Sequence, residues 1–333
     1  MSIESIAVSF RIGLAFHALN NEGGGGTNVM EPRRITVGEN ELDGISGEMV
    51  RRHILEQFVR LAEREGVPLS PAGRGLLPDR GKDDLVAWMR QGKLKTLTPN
   101  HYATATEHLV RTCALRDVGG YLMALERGDG VKGTLKRDSV FEVGWLVSGH
   151  AGAVDMTQHA AYHTDPEEHH LFVQNQRSGV YGCVMRMDLG RIGLNDWAWL
   201  DETVETYAVD EEERKKRADI LLRAIEQFLL SPGGAKQAGW LQHTGSLEGM
   251  IVTSLEGPAP FRSPVLVSVE DRGNGALPDA EALPGLTVAF DNDYRERMEA
   301  IVKAAPDRYQ GYRFDDQASL IEAAARVREA LQV

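Results

Sequence analysis

Two cysteines are all that this 333-residue chain has, Cys113 and Cys183, and they show no metal-type spacing. That excludes a small scaffold stapled by disulfides and points to a reducing compartment. Long apolar runs are missing too: no stretch approaches the ~20 apolar residues of a membrane span, and the opening MSIESIAVSF has no basic segment leading into an apolar one. The expectation is a cytoplasmic protein with no membrane partner. Positive charge is also scarce, since 37 Lys and Arg face 49 Asp and Glu for a formal net charge of −12. Such a balance excludes indiscriminate adhesion to DNA or to an anionic membrane, although it leaves room for a local basic groove. No glycine-serine elbow, cysteine nucleophile motif or kinase signature set occurs. Paired carboxylates exist, but none stands out from solvated surface.

Glycine, by contrast, is concentrated at two places. Gly23 to Gly26 form an unbroken tract behind an apolar, strand-like run, and Thr27, Asn28, Val29, Met30, Glu31 and Pro32 lead from it to Arg33 and Arg34. Glycine lets backbone amides crowd around a phosphate, and arginine forks onto phosphate oxygens with two parallel bonds. The ending fits neither a phosphate loop, which closes on Lys-Ser or Lys-Thr, nor a dinucleotide fingerprint. A hairpin tip with solvated arginines is the plainer alternative. The second place is Ser231 to His243, where Gly233, Gly234, Lys236, Gln237, Trp240 and His243 follow the longest helix pattern. Loop amides with Lys236 can hold phosphates, and Trp240 can stack on a base. A glycine helix stop with a core tryptophan explains the same residues.

Charge is segregated along the chain. Between Arg51 and Lys95 ten Lys or Arg face six Asp or Glu, whereas Asp201 to Glu213 is acidic without a single cation. One face for a polyanion and another for a protein neighbour would give this pattern, and so would ordinary solvated surface.

Periodicity predicts a strand over Ile3 to Ile12, then a helix capped by Ser46 and carrying Arg51 and Arg52, stopped by Gly66 and Pro68. Pro68 to Arg80 reads as loop, and Asp83 to Met89 and Ala103 to Leu115 as helices. Strands are expected over Phe141 to Ser148, Gly179 to Leu189, Leu247 to Leu255, Val265 to Val269 and Leu286 to Phe290. Glu211 to Leu230 and Ala318 to Leu331 carry helical apolar stripes. Without its inserts the order is strand, helix, strand, strand, helix, strand, the split βαβ pattern of a ferredoxin-like or RNA-recognition-type sheet. There is no internal repeat and no interdomain linker, so one elaborated α+β domain is expected.

Between the two middle strands lies a polar insert, His150 to Gln176, with His150, His159, His163, His169 and His170 beside Asp155, Asp165, Glu167 and Glu168. If the segment were helical, His159 and His163 would share one face, as zinc ligands do. The glutamate of a metalloprotease helix is missing, because Ala160 follows His159. A metal site, a mobile polar insert and a contact surface for nucleic acid or protein all remain open.

Several short motifs, in order along the chain, resemble one family. They are the opening Ser9 to Asn28 with His17, Ala18, Leu19, Asn20 and the glycine tract; Arg33 and Arg34; Ile45 to Arg51; Arg177 to Gly182; and Pro232 to Gln237. Together they resemble the backbone subunit of type I CRISPR interference (Cascade) complexes, the seventh Cas family, in its DevR branch. The resemblance implies an RNA-recognition-motif-like palm, approximately residues 1–66, 136–150 and 177–290, with a finger-like insertion over 67–135, a thumb-like one over 150–176, and a C-terminal helix over 318–331. It implies a non-catalytic subunit without a cofactor that polymerises with copies of itself along CRISPR RNA and displays the guide to target DNA. Small, large and guide-end-capping Cascade subunits would be its other partners. The RNA-binding positions then expected are Asn28, Arg33, Arg34, Ser46, Gly47, Arg51, Arg52, Arg177, Gly233, Gly234, Lys236, Gln237, Trp240 and His243. Two rivals stand beside this. One is a target-RNA-cleaving backbone using a loop carboxylate, although Glu22 and Glu31 are the only acids in either loop; the other is a metal-dependent hydrolase built on the histidine insert.

Overall fold

Ile6, Val8, Phe10, Ile12 and Leu14 alternate with smaller or polar residues, so the first run is a strand with one strongly apolar face. In the computed structural model, which describes residues 3–19, 21–23, 29–38, 40–149, 152–161, 170–232, 243–269 and 286–332, this run is β1 (Ser5–His17). Four short strands follow: β2 (Asn21–Gly23), β3 (Val29–Pro32), β4 (Arg34–Val37) and β5 (Asn40–Ile45). β2 and β3 pair antiparallel, so the glycine tract begins at the end of one hairpin strand. Helix α1 (Gly47–Arg64) starts where expected, with Ser46 Oγ accepting from the Met49 amide at 3.3 Å.

The next segment builds its own small core. It holds α2 (Pro71–Arg74), α3 (Lys82–Gln91), α4 (Tyr102–Thr112), α5 (Ala114–Gly119) and the hairpin of β6 (Tyr121–Leu125) with β7 (Gly133–Arg137). Leu85, Met89, Leu109, Met123 and Leu135 pack there in a cluster separate from the main core. Two expectations change. The stretch Pro68 to Arg80 contains α2, capped by Ser70. The helix expected over Ala103 to Leu115 is two helices, because Cys113 is extended (φ −154°, ψ 107°) and the Ala114 amide after it donates to Pro68 O at 2.8 Å. Asp117 on α5 ties this segment to the rest. Its buried carboxylate accepts from Arg137 Nη2 at 2.6 Å, from Arg217 Nη1 at 2.9 Å and from the Gly193 amide.

Strands β8 (Phe141–Val143) and β9 (Leu146–Ser148) replace the single strand expected there, and β10 (Val154–Ala161) with β11 (His170–Asp188) replaces the polar insert. β10 and β11 run antiparallel from Val154↔Arg177 to Ala161↔His170. His159 therefore sits on a strand opposite Phe172, which overturns a helical face shared with His163, a residue outside the described ones. Among the described residues no group of three His, Cys, Asp or Glu is placed to hold a metal ion.

The chain closes with α6 (Glu211–Leu230), β12 (His243–Ser254), the hairpin of β13 (Val265–Val269) and β14 (Leu286–Phe290), α7 (Tyr294–Ala304), β15 (Tyr309–Phe314) and α8 (Gln317–Gln332). The large sheet has the order β15-β12-β1-β11-β9-β5-β4, with β8 also on β11. β1 is antiparallel to both neighbours, and β3 meets β11 in parallel. Even-numbered residues of β1 from Ile6 to Leu14 face α1, α6 and α8, where Val8, Phe10 and Ile12 join Ile54, Phe58, Leu221, Ile225 and Val327 in the main core. Ala7 points the other way, into a cluster with Met250, Tyr294 and Met298 of β12 and α7. Each fully buried Phe or Ile of this core contributes roughly 1.5–3 kcal/mol of transfer free energy. Among the described residues no helix is long and apolar enough to cross a membrane.

Candidate nucleic-acid interface

The site begins at the start of α1, where Gly47 has a packing reason of its own. A Cβ there would lie 2.0 Å from the carbonyl oxygen of Val143, so only glycine lets α1 come this close to β8. An open cavity of about 380 Å³ lies alongside, lined by Gly47, Glu48, Arg51, Asp138, Ser139 and Glu142 among others. Three carboxylates to one guanidinium make its interior unsuited to an anion. Arg52 is exposed and makes an i,i+4 pair with Glu56 at 3.3 Å. Arg80 was missed by sequence reasoning. Burial, then the charges of Arg51 and Arg52, hold its pKa below the usual arginine value, which places three cations in one neighbourhood. Only the folding of the 67–81 loop against α1 brings Arg80 there, and no spacing in the sequence announces it.

The two arginines after the glycine tract differ from each other. Arg33 is exposed and its guanidinium carbon lies 5.6 Å from the Trp145 ring centroid, at the corner between β8 and β9. Trp145 is a second residue that periodicity did not single out. Arg34 is partly engaged by carboxylates, at 2.7 Å from Glu41 and 3.8 Å from Asp43.

Arg177 requires a correction. Expected to touch RNA, it is instead 0% exposed, donating to the carbonyls of Arg33 (2.8 Å), Leu19 (3.1 Å) and Gly44 (3.1 Å), with Asp43 at 3.6 Å. The bonds hold the exit of β1, the start of β4 and the end of β5 together, so Arg177 shapes the surface that carries Arg33 rather than facing solvent. Burial depresses its pKa. Beside it His17 is buried, its Nδ1 accepting from the Leu19 amide at 3.3 Å and its Nε2 lying 2.9 Å from Tyr181 Oη. With Nδ1 an acceptor, the ring proton is on Nε2 and donates to Tyr181. Burial first, and Arg177 second, push the His17 pKa down to about 3, so the ring is neutral at physiological pH.

Of the remaining expected residues, Ser46 is the α1 cap already described. His243 opens β12 with its backbone opposite Ala15 of β1, so the chain carrying the second glycine loop enters the sheet next to the exit of β1. Asn28, Gly233, Gly234, Lys236, Gln237 and Trp240 lie outside the described residues.

Comparison with known proteins bears on this arrangement. Among curated proteins none matches the chain. A solved structure titled "CRISPR RNA-guided surveillance complex" is similar with TM-score 0.46 and 12% identity, over 98% of this chain and 99% of that one. Another, titled "CRISPR RNA-guided surveillance complex, pre-nicking", is similar with TM-score 0.43 and 16% identity, over 74% of this chain and 75% of that one. Residues 8–271 match the model of a family described as "CRISPR-associated negative auto-regulator DevR/Csa2". The match takes in β1, α1, the buried Arg177 hub, α6 and β12, and this chain therefore belongs to the CRISPR-associated DevR/Csa2 family.

Proposed function

We propose that this protein is a non-catalytic backbone subunit of a CRISPR RNA-guided surveillance (Cascade) complex, polymerising along CRISPR RNA and presenting it for pairing with target DNA. The observation that carries the reading is convergence in a member of this family. The segment carrying Arg33, tied through Arg177 to Leu19, and the entry of the chain that follows Lys236 at His243 both adjoin the exit of β1, whereas the start of α1 with Arg51 and Arg52 lies beside β8. A palm of the RNA-recognition or ferredoxin-like kind is supported by the antiparallel order β12-β1-β11 followed by β8 and β9, with α1 and α6 on one face. The separate core of α3, α4, β6 and β7 supports a finger-like unit over 67–135, and the paired β10 and β11 support a thumb over 150–176.

Mechanism follows from the charges. Guanidinium and ammonium groups displace counterions from the guide backbone, while the sequence is read by base pairing with the target. In this reading Asn28, Gly233, Gly234, Gln237, Trp240 and His243 would add contacts to the guide, while Ser46 and Gly47, beside a carboxylate-lined cavity, serve to position α1. The acidic run from Asp201 to Glu213 serves a protein neighbour, another copy or a small, large or guide-capping subunit, which reconciles a net charge of −12 with RNA binding.

Purified from cells that carry its guide RNA, the protein should come as polydisperse assemblies bound to small RNA. Arg51→Glu combined with Lys236→Glu should weaken single-stranded RNA binding and lower the slope of log Kd against log salt by about 1 per lost phosphate contact. An RNA-free monomer holding stoichiometric zinc would overturn the reading.

A further inference from the structure

Phe16 violates two packing rules at once. It is a large aromatic residue left 46% exposed, and its φ of +51° lies in the left-handed region that L-residues with bulky side chains avoid. Alternation from Ile12 and Leu14 would carry Phe16 into the main core. Instead the register of β1 slips twice, against β12 between Ile12 and Leu14 and against β11 between Leu14 and His17. The slips put His17 in the buried place and turn Phe16 outward.

This conformation is held from several sides. The Phe16 amide donates to Ser178 Oγ at 3.1 Å, His17 is fixed by Tyr181 and the Leu19 amide, and Arg177 ties Leu19 to Arg33 and Gly44. Among the described residues no ring or cation packs on the Phe16 side chain. A strained residue kept in place by its surroundings, next to strand irregularities that re-aim a side chain, is a feature of ligand sites.

We propose that Phe16 is a stacking platform for one base of single-stranded RNA. The inference rests on the guide-binding reading above and adds a residue and a mode of contact to it. The segment bearing Arg33 and Arg34 meets the exit of β1 through Arg177, and an exposed ring there completes the pairing of charge with an aromatic face by which single-stranded nucleic acids are held. Arginines neutralise phosphates and give binding its salt dependence, whereas a ring under a base removes apolar surface from water and is nearly insensitive to salt. The two contributions are therefore separable by experiment.

The experiment uses the full chain and a single-stranded RNA oligonucleotide carrying 2-aminopurine at successive positions, with affinity measured across salt concentrations. Phe16→Ala should loosen binding about 5- to 150-fold with an unchanged salt slope, and should remove the fluorescence quenching seen at one position of the register. Phe16→Trp should retain both affinity and quenching. Phe16→Gly, which suits the left-handed backbone, should raise the thermal midpoint while lowering affinity, a pairing that a purely structural role would not give. Wild-type affinity and quenching in Phe16→Ala and Phe16→Gly would overturn the platform and leave the guide-binding reading intact. A wild-type protein that binds no RNA would remove both.

Discussion

Replacing Asp117 by asparagine tests whether one buried carboxylate joins the helical segment of residues 67–135 to α6 and the Gly193 turn. Asp117, Arg137 and Arg217 are all 0% exposed at their side chains. Its Oδ1 accepts from Arg137 Nη2 at 2.6 Å and from the Gly193 amide at 3.0 Å, and its Oδ2 accepts from Arg217 Nη1 at 2.9 Å and from the same amide at 2.9 Å. Asparagine keeps the shape but offers one oxygen and one NH2, so at least one guanidinium would face a donor in place of an acceptor. Each guanidinium retains a second carboxylate, Asp196 at 2.5 Å from Arg137 and Glu213 at 3.0 Å from Arg217, and these limit the damage. Breaking a buried ion pair by removing one partner costs about 3–5 kcal/mol, and a bridging carboxylate belongs at the upper end. Against a total stability of roughly 5–15 kcal/mol that is a large fraction. Urea titration followed by circular dichroism should show the loss, and the thermal midpoint should fall by roughly 4–7 °C. A companion Arg217→Met change, made together with Asp117→Asn, should cost less than the sum of the two separate changes. A loss below about 1 kcal/mol, or strict additivity, would refute the bridging role.

Two further outcomes are expected. His17 is neutral in the native state with its pKa pushed down to about 3, whereas the unfolded chain takes up a proton near 6.5. Its contribution to stability is thus complete above pH 6.5 and is lost as pH falls toward 3, amounting to roughly 2 kcal/mol between pH 6.5 and 5. Denaturation midpoints measured at both pH values should show that drop in the wild type and a smaller one in His17→Gln; equal slopes would discount His17. Gly47→Ala should destabilise the protein by roughly 1–3 kcal/mol, because the new methyl meets the Val143 carbonyl rather than a side chain that can move. A thermal midpoint like that of the wild type would mean that α1 has no need of so close an approach to β8.

Much of the scaffold was legible because hydrophobic alternation is a local signal. The stripe of Ile220, Leu221, Ala224, Ile225 and Phe228 marked α6 over the span observed, Ser46 marked the start of α1, and β13 and β14 fall where their valines and leucines placed them. The histidine-rich insert was opaque for the opposite reason. Gln174, Asn175 and Gln176 are buried polar residues within a strand, held there by backbone pairing with β10 and, at Gln174, with β3 as well, and alternation cannot distinguish such residues from a loop. α7 and β15 went unread although Tyr294 and Met298, and Tyr312 and Phe314, stand at helical and strand spacing. Cations posed the hardest problem for the site. Arg116, Arg177 and Arg217 are among the largest fully buried side chains, while Arg33 is exposed, and nothing in residue type separates an arginine that binds carbonyls from one that faces solvent. The local basic excess between Arg51 and Lys95 is likewise reduced by a pair that only the fold creates, that of Lys82 with Asp129.

One strand has a mechanical consequence. β11 runs for 19 residues without interruption, first as the partner of β10 and then as the neighbour of β1 at the centre of the sheet. At about 3.3 Å per residue it is a continuous strand on the order of 60 Å long that runs from its pairing with β10 into the core. A strand of that kind cannot search for a partner as a tether does. If copies stand side by side as proposed above, their repeat distance would be set by the reach of this strand.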